Sequence, residues 1–188
     1  MPALKILWIA NDSREENEGT TEAYKAVIGK KDSREYTTES VPEQSLKKVL
    51  NSVRMAGSGK NRQAGRVVVV TDESRKKMLG AAGDYSDWIH NAPVVLAMLI
   101  SEDAGLRPGF DVGRMAQNAM IVAHAEGLAS CPVTIVRNDD ALAAIDAPAG
   151  WIVHMAVTIG IAANSESERR SHPRIPFDEA VFWGSWPK

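Results

Sequence analysis

A glycine-rich loop between a helix and a strand constrains the fold of this chain more than any other stretch. The loop, Ala56–Gln63, holds two glycines, a serine and four long polar side chains. It follows an apolar-periodic run that ends near Val53 and precedes Val67–Val70, which we expect to be a buried strand. A loop with so many side-chain donors, placed between a helix and a core strand, predicts a site for a phosphate or a flat polar cofactor.

The order of these elements excludes the two common nucleotide-binding loops. A P-loop needs a glycine where Arg54 stands and a Ser or Thr where Asn61 stands. A Rossmann fingerprint needs its third glycine where Arg62 stands. Both loops also follow a strand, whereas this one precedes a strand. The loop is therefore not that of an ATPase, a GTPase or a Rossmann dinucleotide-binding protein.

The composition is that of an ordinary globular chain. Its 188 residues suit one domain, and the formal net charge of −2 gives no positive field for nucleic acid or an anionic membrane. Apolar runs stay below the ~18 residues that a membrane helix needs. The single Cys131, read as a buried structural thiol, suggests a reducing compartment, and no pair of histidines has metal-ligand spacing. We therefore expect a cytoplasmic protein without a metal site.

Helices and strands alternate along the chain at irregular intervals, which predicts an α+β or mixed α/β fold with helices on both faces of a modest sheet. The most apolar helix, 112–126, is predicted to be buried centrally or at a subunit interface. The expected helices are 21–29, capped by Thr20 or Thr21; 42–55; 73–79, capped by Asp72; 112–126; a short one capped by Asp139 or Asp140; and 177–183. The expected strands are 67–70, 92–100 and 151–161, with a short one at 4–10 and an extended turn at 131–136.

Three groups of cations and polar side chains lie at element boundaries, where anions are commonly bound. They could converge on one phosphorylated ligand, although spacing alone leaves convergence open. The groups are Lys30, Lys31 and Arg34; Ser58, Lys60, Asn61, Arg62 and Gln63; and His172 and Arg174.

Five segments in order make the chain resemble the FMN-dependent nitroreductase family from about residue 21 to 188. Lys30–Tyr36 resembles the family's Arg-Arg-Ser-x-Arg-x-aromatic segment, Val41–Gln44 its Val-Pro-Glu-Glu helix start, and Ala56–Gly65 its Ala-Pro-Ser-x-x-Asn-x-Gln-Pro-Trp loop. Asp111–Leu128 resembles its Asp-x-Gly-x-x-x-Gln-Asn helix ending in Gly-Leu, and His172–Trp183 its basic ending and closing helix.

The resemblance implies an α+β sandwich with a central, mainly antiparallel sheet flanked by helices. It also implies an intertwined homodimer with two FMN sites at the interface. Residues 20–188 would form this FMN-binding domain, and residues 1–19 an N-terminal extension of unknown role.

The resemblance also implies roles for the three groups. Lys30, Lys31 and Arg174 would hold the FMN phosphate with His172 nearby, and Arg34 would lie at the pyrimidine edge of the flavin. Ser58, Asn61 and Gln63 would contact the ribityl chain and ring. Pro132, Val133 and Thr134 would cover the other ring face, and a backbone N–H of Thr134 or Ile135 would reach flavin N5.

The implied reaction is ping-pong, with a hydride passing from NADH or NADPH to the flavin and on to a small electron-poor acceptor such as a nitroaromatic or quinone. Three alternatives stay open. They are a flavin-binding dimer without turnover, the same fold using a deazaflavin or consuming FMN as a substrate, and a flavin-free interaction domain.

The sequence departs from the family pattern at three places. Asp32 stands at the usual serine position, so either Ser33 substitutes or phosphate binding is weakened. Gly57 replaces a proline, and Ala64-Gly65 replaces Pro-Trp. These changes bear on cofactor affinity more than on fold.

Overall fold

The computed structural model describes residues 21–105, 107–164 and 174–187, so the predicted strand at 4–10 and the extension 1–19 lie outside the described residues. The helices are α1 (Glu22–Gly29), α2 (Glu43–Arg54), α3 (Glu73–Ala81), α4 (Pro108–Ala125), α5 (Asn138–Ala144) and α6 (Phe177–Ala180). The strands are β1 (Gly65–Val70), β2 (Val94–Ser101), β3 (Ala129–Thr134) and β4 (Trp151–Gly160), and 3₁₀ turns cover Gly59–Asn61 and Asp87–Asn91.

The described strands form one four-stranded sheet in the order β1-β2-β4-β3, with every neighbouring pair antiparallel. Side chains of β2 alternate between two hydrophobic cores. Leu96 and Met98 belong to the core that contains α2 and α4, whereas Val95 and Ala97 belong to the core that contains α3 and α5. Because successive side chains of a strand point to opposite faces, a strand covered on both faces must be apolar throughout. The fold is therefore the predicted α+β sandwich.

Several predicted elements are confirmed at their ends. Thr21 caps α1, and the carboxylate of Asp72 caps α3 by accepting from the Arg75 N–H at 3.0 Å. Helix α4 contacts α1, α2 and all four strands, as expected of a central helix, but within one chain it is buried along one face only. It begins at Pro108, four residues before the predicted start, because a proline is well tolerated in a first helical turn.

Other expectations were wrong. β1 is an edge strand and only partly buried, since Val69 is 38% exposed. Residues 129–134 form a full strand at the opposite edge, where only an extended turn was expected at 131–136. Neither Asp139 nor Asp140 caps α5; Arg137 occupies that position, and both aspartates lie in the first turn.

Strand β4 carries one residue more than its partner β2 requires. Met98 pairs with Met155 and Leu99 pairs with Val153, so His154 has no counterpart in β2. The His154 carbonyl instead accepts the Ile135 N–H at 3.2 Å, one residue past the end of β3. The irregularity thus affects the pairing of β4 with β2, whereas the pairing of β4 with β3 continues in register past Thr134.

Candidate functional site

The segment that carries the first group of cations is fixed against β3. Asp32 forms a parallel bridge with Ser130, and the Ser33 N–H donates to the Ser130 carbonyl at 3.0 Å. Four residues on, the Thr37 N–H donates to the Ile161 carbonyl at 2.8 Å. The backbone from Asp32 to Thr37 is therefore held at both ends and forms a rigid base for Asp32 and Arg34, while Lys30 and Lys31 come directly before it.

Tyr36 anchors the same segment from within the core. Its hydroxyl lies 2.5 Å from the Ser33 carbonyl oxygen and 2.6 Å from the Thr158 hydroxyl. Thr158 is fully buried and donates in turn to the Cys131 carbonyl at 3.1 Å. The segment, β3 and β4 are thus joined through two hydroxyl groups. This connection spans 122 residues of sequence, and sequence reasoning did not find it.

The cations of this segment are not equivalent. The Lys30 ammonium forms an ion pair with the Asp32 carboxylate, and the Lys30 side chain is 12% exposed. Lys31 is exposed. The Arg34 guanidinium lies over the Trp88 ring, 5.4 Å from its centroid, which is a cation–π distance. Arg34 was predicted as a site residue, but its stacking on Trp88 was not foreseen.

Arg34 also approaches the thiol of Cys131. Burial raises the pKa of the Cys131 thiol above its usual range, and hydrogen bonding from Arg34 opposes that shift. The thiol therefore stays protonated at neutral pH, in agreement with the expected structural role. The guanidinium is positioned along β3 by both the thiol and the indole ring.

Ser33 is turned away from the surface. The residue is 3% exposed, and its hydroxyl donates to the Glu35 carbonyl at 3.2 Å. Its backbone N–H is used by Ser130. The Ser33 side chain thus stabilises the turn of the segment rather than facing a ligand.

Beyond Ser130, β3 leaves an open sheet edge in the described part of the chain. Because the Ile135 N–H donates to β4, the alternation of an antiparallel ladder turns the Thr134 N–H away from β4. Of the two predicted donors to flavin N5, Ile135 is therefore already engaged, and Thr134 presents its N–H to the open edge. Pro132, which has no N–H, occupies another outward position, so it removes no hydrogen bond between β3 and β4.

The open edge is closely flanked at Thr134. A methyl group added to Gly83 would lie 2.8 Å from the Thr134 carbonyl oxygen, so the turn after α3 packs directly against it. Along the strand, the edge is bounded on the other side by the bridge between Asp32 and Ser130. The stretch Pro132–Thr134 is thus a short exposed length of backbone between a cationic segment and a glycine turn.

The glycine-rich loop has an unusual backbone. Lys60, Asn61 and Gln63 adopt left-handed conformations with φ of 54°, 53° and 49°. The Gln63 N–H donates to the Ser58 hydroxyl at 2.9 Å, and its side-chain amide donates to Asn61 Oδ1 at 3.2 Å. Left-handed conformations cost most residues about 1 kcal/mol or more, and such strain is concentrated at functional sites.

The loop borders a cleft of about 500 Å³ at the β1 edge of the sheet. Apolar side chains of α2, β1 and α4 meet polar groups of the loop there. The lining residues include Leu50, Val53, Arg54, Ser58, Gln63, Arg66 and Met115. The predicted residues Ser58 and Gln63 therefore lie beside a cavity of ligand size.

The two halves of the predicted site occupy opposite corners of the sheet. The cationic segment lies outside β3 near the C-terminal end of β4, whereas Gly65 starts β1 beside Ile100 at the other end. From the spacing between strands and the rise per residue, the halves are roughly 30 Å apart within one chain. A single copy of the chain does not bring them together.

The third predicted group is only partly described. His172 lies outside the described residues. Arg174 is exposed, and among the described residues no hydrogen bond or ion pair joins it to Lys30, Lys31 or Arg34.

Large apolar side chains are exposed at two places. The C-terminal segment 174–187 leaves Trp183 79% and Trp186 77% exposed, and on α1 Ile28 is 53% exposed. Exposed apolar area of this extent is typical of a surface that another chain covers. No helix in the ranges that the structure describes is long and apolar enough to cross a membrane.

Comparisons with known proteins agree with this architecture. The family model described as the nitroreductase family matches residues 27–84 and 79–161. An FMN reductase (NAD(P)H) of Bacillus subtilis is 27% identical over 183 residues, which cover 85% of this chain and 72% of that protein. An NADH dehydrogenase of Thermus thermophilus is 25% identical over 199 residues, covering 86% of this chain and 96% of that protein.

A solved structure from Desulfovibrio desulfuricans, crystallised in complex with FMN, superposes with a TM-score of 0.77. The match has 23% sequence identity and covers 89% of this chain and 99% of the other. At this identity, the match shows that the two proteins share a fold. The family model, in contrast, spans most of the described sheet and its helices. The chain therefore belongs to the nitroreductase family.

Proposed function

We propose that this chain is an FMN-dependent oxidoreductase that takes electrons from NADH or NADPH and passes them to a small electron-poor acceptor, such as a nitroaromatic or a quinone. Its family and its similarity to an FMN reductase (NAD(P)H) support the cofactor and the electron donor. The observation that carries the proposal is the open edge of β3, where the outward Thr134 N–H and the Arg34 guanidinium lie along the same strand.

The donors present fit the phosphate end of FMN. Lys31 is exposed, and Lys30 lies next to it at the start of the segment. Phosphate oxygens accept strongly from ammonium and guanidinium groups. The exposed Arg174 would complete this set from the C-terminal segment. We assign the phosphate to Lys30, Lys31 and Arg174, with His172 as a further candidate.

The strand edge fits the ring end. Bound FMN supplies a ring that accepts a hydride and releases it to a second substrate. Thr134 would donate its outward N–H to the ring, while Pro132 and Val133 would lie against one ring face. Arg34 would stabilise negative charge at the pyrimidine edge, because a fixed guanidinium needs no reorganisation when charge develops nearby. The chain would thus contribute orientation and charge stabilisation and no acid–base side chain.

The remaining predicted contacts require a second copy of the chain. Ser58, Asn61 and Gln63 are roughly 30 Å from the cationic segment within one chain, by strand spacing and residue rise. A homodimer that places this loop against the β3 edge of the partner would unite the halves. The exposed aromatic residues of segment 174–187 supply apolar area for such an interface.

The assay is anaerobic titration of the purified protein, followed by its flavin absorbance. We expect a yellow protein with the absorbance of an oxidised flavin, at about 450 nm. NADH or NADPH should bleach this absorbance, and a nitroaromatic or a quinone should restore it. A yellow protein that neither nicotinamide bleaches would favour the dimer without turnover. A colourless protein that takes up no added FMN would refute the assignment altogether.

A pair of variants tests the role of the strand edge. Thr134→Pro removes the outward N–H without removing a ladder hydrogen bond, because that N–H faces away from β4. Thr134→Ala keeps the N–H and is the matched control. We expect Thr134→Pro to slow reduction by roughly 100-fold, the usual effect of losing one donor to a developing charge, with retained FMN. Equal rates in both variants would remove Thr134 from the mechanism.

A further inference from the structure

We propose that Asp32 weakens the binding of a flavin phosphate at the cationic segment, so that this chain discriminates little between FMN and riboflavin. The inference rests on the proposed function, because it concerns the same phosphate position. It goes further in naming the residue that sets the preference between phosphorylated and unphosphorylated flavin. Three features of the segment lead to this conclusion: its charge, its rigidity and the burial of the two serines next to Asp32.

The charge of the segment is partly cancelled from within. The Asp32 carboxylate is paired with the Lys30 ammonium, and the two side chains differ in exposure, 56% for Asp32 against 12% for Lys30. The carboxylate is thus the outer member of the pair, and the ammonium is the enclosed one. An anion that approaches from solvent meets the carboxylate before it meets Lys30. A phosphate monoester carries nearly two negative charges at neutral pH, so this encounter is repulsive.

The rigid base keeps Asp32 in this position. Its backbone is bridged to Ser130, and the following residues are held by the hydrogen bonds of Ser33 and Tyr36. The segment therefore has little freedom to carry the carboxylate away from Lys30. A phosphate must either displace the carboxylate from its ammonium or bind beside it. Each route lowers the affinity for FMN. Riboflavin lacks the phosphate, so its binding requires neither route.

In the described part of the chain, neither of the two serines next to Asp32, Ser33 in sequence and Ser130 across the bridge, substitutes for the missing serine. Ser33 is 3% exposed and already donates to the Glu35 carbonyl. The hydroxyl of Ser130 is also buried, and it has no hydrogen-bond partner among the described residues. Of the two outcomes that the sequence left open at this position, the structure favours weakened phosphate binding.

The test compares FMN and riboflavin binding to the flavin-free protein by quenching of flavin fluorescence. Asp32→Asn removes the charge and keeps the shape. We expect it to tighten FMN binding by roughly 10-fold at low salt, given the strength of a partly exposed charge interaction. Riboflavin affinity should change by less than about 2-fold, because that ligand carries no charge for Asp32 to repel. The gain should shrink in high salt.

Three further variants sharpen the test. Glu39→Gln makes the same change of charge at an exposed acid farther along the chain and should leave the FMN-to-riboflavin ratio unaltered. Lys30→Met should weaken FMN binding and spare riboflavin, since Asp32 is then unopposed. Asp32→Ser restores the family residue and should tighten FMN binding as Asp32→Asn does. Because two different substitutions remove the same charge, a folding defect in one of them would not decide the result.

The outcomes separate this inference from the function on which it rests. A ratio that is the same in the parent chain, Asp32→Asn and Asp32→Ser would overturn the role of Asp32 while leaving flavin binding intact. If Glu39→Gln also raised the affinity for FMN relative to riboflavin, the effect would come from net charge. That result would likewise overturn the role of Asp32. Failure of both flavins to bind any of these proteins would refute the proposed function itself.

Discussion

Replacing Tyr36 by phenylalanine tests whether the cationic segment is held by the buried hydroxyl pair. The ring packs against Gly160, where an added methyl group would clash with Tyr36 and with Pro93, so the phenyl group of the variant stays in place. The change is therefore confined to one oxygen atom. That oxygen lies within 2.6 Å of both the Ser33 carbonyl and the Thr158 hydroxyl.

The magnitude follows from the groups that lose a partner. The Ser33 carbonyl is left without the Tyr36 donor, while Thr158 still donates to Cys131 at 3.1 Å. A partly buried acceptor without its donor costs about 1–3 kcal/mol. We expect the free energy of unfolding to fall by about 2 kcal/mol, which lowers Tm by about 4–8 °C for a domain of this size.

The measurement is urea unfolding followed by tryptophan fluorescence, with Tyr85→Phe as the control. Tyr85 is 90% exposed, so its variant should unfold like the parent chain. FMN affinity should fall in Tyr36→Phe, because the segment that bears the cations is less firmly held. A loss below about 0.5 kcal/mol, comparable to that of an ordinary surface substitution, would refute the anchoring role of Tyr36.

Three other changes have separate expected outcomes. Arg174→Ala should weaken FMN binding by roughly 10-fold, as expected for a charge-assisted contact to phosphate, and leave riboflavin binding and Tm unchanged; unaltered FMN affinity would show that the phosphate lies elsewhere. Lys60→Gly should raise the free energy of unfolding by about 0.5–1 kcal/mol, because glycine accepts φ of 54° without strain, whereas Lys60→Ala should give no such gain in urea unfolding. Burial lowers the pKa of Lys76, whose ammonium donates to the Ala92 carbonyl at 2.7 Å. Between that lowered pKa and the ordinary value of 10.5, the unfolded chain binds more protons than the folded one, so stability relative to Lys76→Met should rise with pH. The measurement is urea unfolding of both proteins from pH 7 to 10.5. If the difference between their free energies of unfolding did not change with pH, the expectation would be contradicted.

Elements that carry a local signal were predictable from the sequence. β2 is apolar throughout because both its faces are covered, and Pro93 precedes it where a missing N–H costs least. Asp72 and Thr21 were recognisable caps because the preference of their side chains for that position is local. The central position of α4 followed from its many apolar residues, although only one of its faces is buried within the chain.

Elements whose character depends on distant partners were not predictable. Four consecutive valines in β1 resemble a central strand, but nothing in the sequence places them at the edge of the sheet. Cys131-Pro132 resembles a turn, yet proline is tolerated in β3 because its nitrogen position faces away from β4. The first turn of α5 suggested an aspartate cap, whereas Asn138 is committed to β4 through the Trp151 carbonyl and the Val153 N–H.

The candidate site divides in the same way. The cations and amides were visible as residue types at element boundaries. Their spatial relation was not, because the loop at Ser58 and the segment at Arg34 lie at opposite edges of one sheet. The pairing of Lys30 with Asp32 and the link from Tyr36 to Thr158 depend on side-chain positions that no spacing rule gives.

The additional residue in β4 bears on how this sequence can change in length. Met155 faces one core and Val153 the other, with His154 between them. Deleting His154 would leave every remaining side chain of β4 on its present face, because the ladder would simply become regular. A deletion elsewhere within the strand would instead exchange the faces of all residues on one side of it. Position 154 is thus a point where the strand tolerates the loss of one residue, at the expense of the present acceptor for the Ile135 N–H.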